Sequence, residues 1–249
     1  MPSNREKMLA TDLANISAYC EAATNDTTLP PLVFCSGRQI PYAECLAQMI
    51  GAFFPEFPSV VENGSFLYDI ANNRRIRNPI LTDQILLELK EVREKADWIV
   101  EHYGAVKEAG KEICISLNPP PKQDIDHFAG TVKRELASYG HLLEIANSRS
   151  AVDITPKGVD KGSGVRFLAD FVKIPVENML GIGDSGGDEP MLKVVGTAIG
   201  PANATPDIQY LFPRDWRTIL NVDGNEEDKD KGPKGVVKIL ERYTSWRSK

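Results

Sequence analysis

Two aspartates four residues apart, Asp184 and Asp188, have the residue type and spacing to bind a metal ion. They follow a short apolar run, residues 178–182, that we predict to be a buried strand, and two glycines between them allow a tight turn. Open α/β sheets place their sites at the carboxyl ends of strands. A carboxylate there can bind Mg²⁺ together with waters and a phosphate oxygen. The alternative interpretation is an acidic loop in which Asp188 caps the following helix.

The same stretch contains the spacing of a dinucleotide-binding fingerprint, Gly181-x-Gly183-x-x-Gly186. Asp184 inside that turn would repel a pyrophosphate. The next predicted strand, residues 196–199, also ends without the acidic residue that would bind a ribose. We therefore exclude this kind of nucleotide site.

Three further side chains could bind an anion such as phosphate. Lys161 stands at the start of a predicted helix, where a cation is unfavourable with the helix dipole, so a bound anion beside it would explain its position. Ser36 and Gly37 follow a short apolar strand, and a hydroxyl with exposed backbone amides at such a turn can bind a phosphate oxygen. Arg38 could form a fork to a phosphate or a carboxylate. The alternatives are a surface lysine, a turn or capping serine and a surface arginine.

Two asparagines stand in turn-like segments. Asn63 lies in Glu62-Asn63-Gly64, and Asn203 lies in Pro201-Ala202-Asn203-Ala204. Each is either a turn residue or a contact to a substrate. The three histidines share no spacing, and we interpret them as surface or packing residues.

The composition is that of an ordinary globular protein. The chain has 249 residues, 42% of them hydrophobic and 26% charged, which excludes collagen-like, coiled-coil and disordered classes. Its net charge is -6 and no Lys/Arg-rich block is present, so we expect no nucleic-acid partner. No apolar run approaches the ~18 residues of a membrane span, so we expect no membrane partner. Four scattered cysteines and the lack of a signal peptide indicate reduced thiols and a cytoplasmic location.

Helices alternate with strands in the first and last thirds of the chain. The first helix is predicted over residues 3–24 by a capping box and by apolar residues at steps of three and four. The alternation predicts a parallel sheet that is covered on both faces. The middle of the chain predicts a small α+β insertion. We therefore assign residues 1–79 and 156–249 to a core domain and residues 80–155 to an inserted domain.

In their order and spacing, these motifs resemble the haloacid dehalogenase-like phosphohydrolases. The nearest branch holds the Cof-type, sucrose-phosphatase and mannosyl-3-phosphoglycerate-phosphatase proteins. The resemblance rests on Ser36-Gly37-Arg38, Glu62-Asn63-Gly64, Gly158-Val159-Asp160-Lys161-Gly162, Gly183-Asp184-Ser185-x-x-Asp188 and Pro201-Ala202-Asn203-Ala204. It implies an α/β fold: a Rossmann-like core with a parallel sheet and an inserted C2-type cap domain.

The resemblance also implies a role for each candidate residue. Ser36 would bind the transferring phosphoryl group, and Lys161 would stabilise its charge. Asp184 would be an Mg²⁺ ligand, with Asp188 as its support in both the metal site and catalysis. The residues that would border the substrate are Gly37, Arg38, Asn63 and Asn203. The implied reaction is Mg²⁺-dependent hydrolysis of a small phosphorylated metabolite, a sugar phosphate or phosphoglycerate-type compound, by attack of an aspartate and then of water.

The family motif D-x-D-G, which carries the attacking aspartate, is not found in this sequence. The stretch 8–15 is only superficially similar, since Ala14 stands where the second aspartate belongs, and Asp12 is too close to Ser36 for the connection the family needs. We expect the chain to begin after the central nucleophile strand, which would leave two strand edges unpaired and the phosphatase impaired. The alternatives are a pseudo-phosphatase that binds a phosphorylated ligand or a protein partner, and a damaged gene product.

Overall fold

The computed structural model describes residues 10–147, 150–225 and 229–247, which form helices connected by short strands. The α-helices are α1 (Ala10–Asn25), α2 (Ile40–Ile50), α3 (Asp83–Tyr103), α4 (Ile125–Glu135), α5 (Lys161–Val172), α6 (Glu189–Leu192), α7 (Trp216–Ile219) and α8 (Gly232–Arg247). The strands are β1 (Ser59–Val61), β2 (Phe66–Asp69), β3 (Arg74–Arg77), β4 (Val106–Lys107), β5 (Ile115–Asn118), β6 (Leu143–Asn147), β7 (Val152–Pro156), β8 (Leu180–Ile182) and β9 (Thr197–Ile199). The helix predicted over 3–24 is α1, and residues 3–9 lie outside the described part.

The strands form three small sheets. β1, β2 and β3 are antiparallel in that order, β4-β5-β7-β6 is a second antiparallel sheet, and β8 and β9 are parallel. An extended segment, residues 32–35, runs beside β1 and contacts it through a parallel bridge between Cys35 and Val60. The predicted mixed α/β class is confirmed. In the described residues the two parallel pairs, the segment 32–35 with β1 and β8 with β9, do not hydrogen-bond to each other.

The elements α3 to β7 make up what we call the inserted unit. Its four-stranded sheet packs against α3 and α4, and one face of α3 is buried through Leu89, Val92, Ala96 and Ile99, at steps of three and four. Thr82 caps the start of α3, because its hydroxyl oxygen accepts a hydrogen bond from Ile85 N at 3.3 Å. The boundaries predicted at residues 80 and 155 stay a prediction.

The N-terminus of α5 lies in direct contact with the turn Glu62–Gly64. Gly64 has a φ of +94°, and a Cβ atom on it would stand 2.1 Å from the carbonyl oxygen of Asp160. A Cβ atom on Gly164 would likewise stand 2.6 Å from the Cα atom of Gly64. These two glycines therefore let α5, with Lys161 at its first residue, approach the turn more closely than any other residue would allow.

Glu62 connects this turn to the inserted unit. Its side chain is buried, and its carboxylate accepts hydrogen bonds from the backbone N–H of Glu112 at 2.9 Å and of Ile113 at 2.8 Å. Burial raises the pKa of Glu62, and these amides oppose that rise because they stabilise the charged form. The carboxylate is thus an anchor between the core and the inserted unit.

Replacing Glu62 by alanine should destabilise the protein. The buried N–H of Ile113 and the partly buried N–H of Glu112 would lose their acceptor, which we expect to lower the free energy of unfolding by about 2–4 kcal/mol. Urea unfolding followed by circular dichroism measures this. Glu101→Ala, at an exposed position of α3, is the matched control and should change the free energy by less than about 0.5 kcal/mol. Equal effects of the two changes would contradict the anchor.

None of the helices in the described ranges is both long and apolar enough to cross a membrane.

Candidate functional site

One cavity of about 1720 Å³ collects the polar residues that the sequence analysis selected. Its walls include residues from the core and from the inserted unit. The selected residues that line it are Ser36, Gly37, Arg38, Asn63, Lys161, Asp184, Asp188 and Asn203. Residues from five separate parts of the sequence therefore meet at one place.

Lys161 and Asp188 form a nearly buried ion pair in this cavity. The Nζ atom of Lys161 donates to Oδ1 of Asp188 at 2.6 Å, and their side chains are only 14% and 10% exposed. Burial alone would lower the pKa of Lys161, but the adjacent carboxylate of Asp188 outweighs it and the pKa is raised. A charged amine is thus held at the cavity wall.

Asp188 also fixes the loop that carries Asp184. Its second oxygen, Oδ2, accepts hydrogen bonds from the backbone N–H of Asp184 at 2.9 Å and of Ser185 at 3.2 Å. Burial raises the pKa of Asp188, yet Lys161 and these amides outweigh it and hold the pKa below its usual range. The side chain forms no capping bond to α6. Asp188 therefore positions its neighbours, and the alternative interpretation, in which its side chain caps the following helix, does not hold for α6.

Ser36 sits in a tight turn between the segment 32–35 and α2. Its backbone N–H donates to the carbonyl of Val60 at 2.9 Å, and its hydroxyl oxygen accepts from the N–H of Arg38 at 3.1 Å. Asn63 has a left-handed φ of 55°, and its N–H donates to the carbonyl of Ser36 at 3.1 Å. The serine is therefore both a turn residue and part of the cavity wall.

Arg38 and Asn203 occupy the edge of the site. The guanidinium carbon of Arg38 lies 5.0 Å from the centre of the Tyr42 ring, a cation–π contact. Asn203 is exposed, and its Oδ1 accepts from the backbone N–H of Gly232 at 2.7 Å, which fixes its loop to the start of α8. Both side chains have structural contacts in addition to their place at the cavity.

The inserted unit contributes charged residues that the sequence analysis missed. Glu108, Lys111 and Asp153 line the same cavity. They stand up to 45 positions apart in the sequence, and the pairing of β4 with β5 and of β5 with β7 brings them together. No local motif marks them, so sequence spacing could not have selected them.

The donor set fits one Mg²⁺ ion held by few protein ligands. Within the described ranges no group of three or more His, Cys, Asp or Glu side chains is placed to hold a metal. Asp184 is half-buried at the cavity, and its carbonyl accepts from the N–H of Thr205 at 2.9 Å. The hydroxyl of Thr205, also at the cavity, is buried without a partner among the described groups. Mg²⁺ accepts such a site, because it keeps waters and takes phosphate oxygens as ligands.

Comparisons with known proteins give similarity over most of the chain. A model of the haloacid dehalogenase-like hydrolases matches residues 108–211. A phosphoglycolate phosphatase of Methanobrevibacter smithii is 37% identical over 181 residues, which are 70% of this chain and 72% of that protein. A protein of known structure from Thermoplasma acidophilum covers 98% of this chain and 93% of its own, with a TM-score of 0.65 and 19% identity. The sucrose-phosphatase of Synechocystis, solved with sucrose and phosphate, covers 95% and 93%, with a TM-score of 0.64 and 16% identity.

The similar solved structures establish the fold. The Methanobrevibacter relative establishes membership of a common family, because it is 37% identical over more than two thirds of its length. The resemblance drawn from the motifs is thereby confirmed. This chain belongs to the haloacid dehalogenase-like hydrolase family.

Proposed function

We propose that the site binds a small phosphomonoester together with Mg²⁺, as a phosphatase of the family does. The main observation in support is that the charged amine of Lys161, the turn of Ser36 and the carboxylate of Asp184 line one cavity. The relatives support a phosphorylated small molecule, since one is a phosphoglycolate phosphatase and another a sucrose-phosphatase.

Each residue has a defined task in this proposal. Lys161 donates to a phosphoryl oxygen and offsets the charge that develops there. The turn at Ser36 and Gly37 offers the hydroxyl of Ser36 and the backbone N–H of Gly37 to a second oxygen. Asp184 would hold Mg²⁺, which supplies Lewis-acid polarisation of the phosphoryl group when it is bound. Asp188 keeps the lysine and the Asp184 loop in place through the three hydrogen bonds described above.

We further propose that this chain lacks the central strand with the attacking aspartate. The cavity runs between the segment 32–35 and β8, and no hydrogen bond among the described residues joins the two. Phe34 and Ser36 direct their backbone groups towards β1, so by the alternation of a strand those of Val33 and Cys35 face the other way. This supports a place for one more strand, and turnover is then slow because no aspartate attacks phosphorus.

A phosphatase assay tests this pair of proposals. With p-nitrophenyl phosphate and Mg²⁺, we expect turnover about 10⁴-fold or more below that of the Methanobrevibacter relative measured alongside, by analogy with removal of a nucleophile in other enzymes. Inorganic phosphate should still bind in isothermal titration. Turnover close to that of the relative would contradict the absence of a nucleophile.

Replacing Asp184 by asparagine should uncouple phosphate binding from Mg²⁺. In the parent chain we expect Mg²⁺ to tighten the binding of inorganic phosphate about tenfold, which is 1.4 kcal/mol of coupling. In Asp184→Asn the same titrations with and without Mg²⁺ should agree within about twofold, since the carboxylate ligand is lost. Asp170→Asn, exposed on α5, is the control and should keep the coupling. Persistent coupling in Asp184→Asn would place the metal elsewhere.

A binding protein without catalysis is the second candidate. The observation that favours it is the preformed cradle of Lys161, Asp188 and the Asp184 loop, which needs no attacking aspartate to hold an anion. Tight binding of phosphate with no turnover above the Asp184→Asn variant would favour this candidate. Slow but Asp184-dependent turnover would favour the impaired phosphatase.

A further inference from the structure

The turn Glu62–Gly64 has an unusual backbone. All three of its residues have positive φ values, 47° at Glu62, 55° at Asn63 and 94° at Gly64. Glycine adopts this conformation easily, but it is unfavourable for the other two residues, so the surrounding structure has to hold them in it. Backbone strain of this kind is typical of turns whose shape serves a function.

The turn binds the backbone on both sides of Gly37. The N–H of Asn63 donates to the carbonyl of Ser36 at 3.1 Å, and the N–H of Glu62 donates to the carbonyl of Arg38 at 3.0 Å. The side chain of Asn63 also packs against Gly37, since a Cβ atom on this glycine would stand 2.7 Å from the Oδ1 atom of Asn63. The loop before α2 is therefore shaped by this turn.

One of these hydrogen bonds fixes the direction of an amide. The carbonyl of Ser36 and the N–H of Gly37 belong to the same peptide group, and that peptide bond is trans. In a trans peptide the two groups point in opposite directions. Because the carbonyl faces Asn63, the N–H of Gly37 faces away from Asn63, and within the described part of the chain it has no backbone acceptor. This is the amide that the proposed function assigns to a phosphoryl oxygen.

The inserted unit holds the turn in its strained shape. The side chain of Glu62 is buried, and its carboxylate accepts hydrogen bonds from the backbone N–H groups of Glu112 and Ile113. The Nδ2 atom of Asn63 lies 3.5 Å from the Sγ atom of Cys114, in the same segment. Both strained residues other than glycine are thus held by one short segment of the inserted unit.

That segment is itself fixed on two sides. Arg93 of α3 donates to the backbone carbonyl of Glu112, and Arg75 of β3 forms an ion pair with the carboxylate of Glu112. One of these arginines belongs to the inserted unit and the other to the core. The backbone donors that bind Glu62 therefore keep a fixed place relative to both.

We propose that Glu62 is a positioning residue for phosphate binding, because its buried carboxylate keeps the turn in the shape that directs the N–H of Gly37 to the phosphoryl group. The inference rests on the proposed function and adds to it a residue that does not line the cavity. Without this carboxylate the turn relaxes, the peptide between Ser36 and Gly37 loses its fixed direction, and the phosphate loses one donor. The inserted unit thereby acts on the phosphoryl end of a ligand, whatever the rest of the ligand is.

Replacing Glu62 by glutamine tests the proposal. Glutamine keeps the size of the side chain but places an NH₂ group against one of the two backbone N–H groups. In isothermal titration of the full chain with inorganic phosphate in Mg²⁺, we expect the dissociation constant to rise about tenfold, the loss of one hydrogen bond to an anion. Glu62→Asp, which is one methylene shorter and cannot reach both amides from the same backbone, should also weaken binding, at least about threefold.

A buried change elsewhere separates positioning from loss of stability. Val132 lies on α4, is fully buried in the core of the inserted unit and does not line the cavity. Val132→Ala should lower the midpoint of urea unfolding about as far as Glu62→Gln does, since it leaves a cavity in the core. It should nevertheless keep the dissociation constant for phosphate within about twofold of the parent. Equal losses of affinity in the two variants would reduce Glu62 to a stabilising residue and overturn the proposal.

The amide of Gly37 provides a direct spectroscopic signal. In protein labelled with ¹⁵N-glycine, its resonance is identified by its absence from the spectrum of Gly37→Ala. Saturating phosphate should move the amide proton of Gly37 downfield in the parent, because this N–H then donates to an anion. The movement should be much smaller in saturated Glu62→Gln. An equal movement in both would show that the amide keeps its direction without the carboxylate, which contradicts the proposal.

The outcomes also separate this inference from the proposed function. If inorganic phosphate binds the parent and Lys161→Met removes that binding, the proposed function stands. Unchanged phosphate affinity in both Glu62→Gln and Glu62→Asp would then overturn the role of Glu62 alone. If phosphate does not bind the parent through Lys161, both proposals fail. Two variants of Glu62 are used so that misfolding of one, seen by circular dichroism, leaves the other decisive.

Discussion

Replacing Lys161 by methionine should weaken the binding of inorganic phosphate at least about 100-fold, since a charge-assisted hydrogen bond is lost in a nearly buried place. Methionine keeps the length and most of the volume of the lysine chain. It removes only the ammonium that donates to Asp188 at 2.6 Å and, in our proposal, to the phosphoryl group. Isothermal titration in the presence of Mg²⁺ measures the effect.

The same change should also cost stability, because Asp188 would be left buried without its cation. We expect a loss of about 3–5 kcal/mol in the free energy of unfolding, the usual cost of breaking a buried ion pair. The double variant Lys161→Met/Asp188→Asn should recover part of this stability, yet not the binding of phosphate. That combination separates loss of the site from loss of the fold.

Lys157 supplies the matched control for this experiment. It precedes α5 by a few residues and is exposed. Lys157→Met should keep the dissociation constant for phosphate within about twofold of the parent. Its free energy of unfolding should stay within about 0.5 kcal/mol of the parent. Retention of phosphate binding within about threefold in Lys161→Met would show that the lysine is only a structural partner of Asp188.

Replacing Gly64 by alanine should strongly destabilise the protein, although it adds only a single methyl group. The new Cβ atom would stand 2.1 Å from the carbonyl oxygen of Asp160, and the φ of +94° is itself unfavourable for alanine. We expect a loss of about 3–5 kcal/mol, since backbone on both sides of the contact has to move. Urea unfolding gives the free energy directly.

Gly51 provides the comparison that isolates the contact. It ends α2 with a φ of +69°, and a Cβ atom there would meet nothing within 4 Å. Gly51→Ala therefore carries the conformational cost alone, about 1 kcal/mol. If the two substitutions lowered the free energy of unfolding equally, the close contact between α5 and the Glu62–Gly64 turn would contribute nothing to stability.

Local chemistry explains why many elements could be predicted from the sequence. Pro41 near the start of α2 and Gly51 after its end mark that helix on both sides, and the structure places it at Ile40–Ile50. The hairpin of β2 and β3 has a local signal of the same kind, the pair Asn72-Asn73, and Asn73 has positive φ in its turn. Each of these signals lies within a few residues of the element that it predicts.

Features that depend on distant residues could not be predicted in the same way. The alternation of helices and strands predicts parallel pairing, and the described residues contain two short parallel pairs. Which strands are neighbours could not be predicted, because strand order is a property of the whole fold. The ion pair of Lys161 with Asp188 joins residues 27 positions apart. The motifs placed both residues in the site, but only the fold determines that Asp188 uses its oxygens for the lysine and for backbone amides.

The buried carboxylate of Glu62 has a mechanical consequence. It is covalently next to Asn63, which borders the cavity, and it accepts two amides of the inserted unit. Movement of the inserted unit away from the turn would leave this buried carboxylate without its hydrogen-bond donors. The N–H of Asn63 would still donate to the carbonyl of Ser36. The Glu62–Gly64 turn and the inserted unit are therefore coupled. A ligand that stabilises the turn also raises the free energy needed to move the inserted unit away from it.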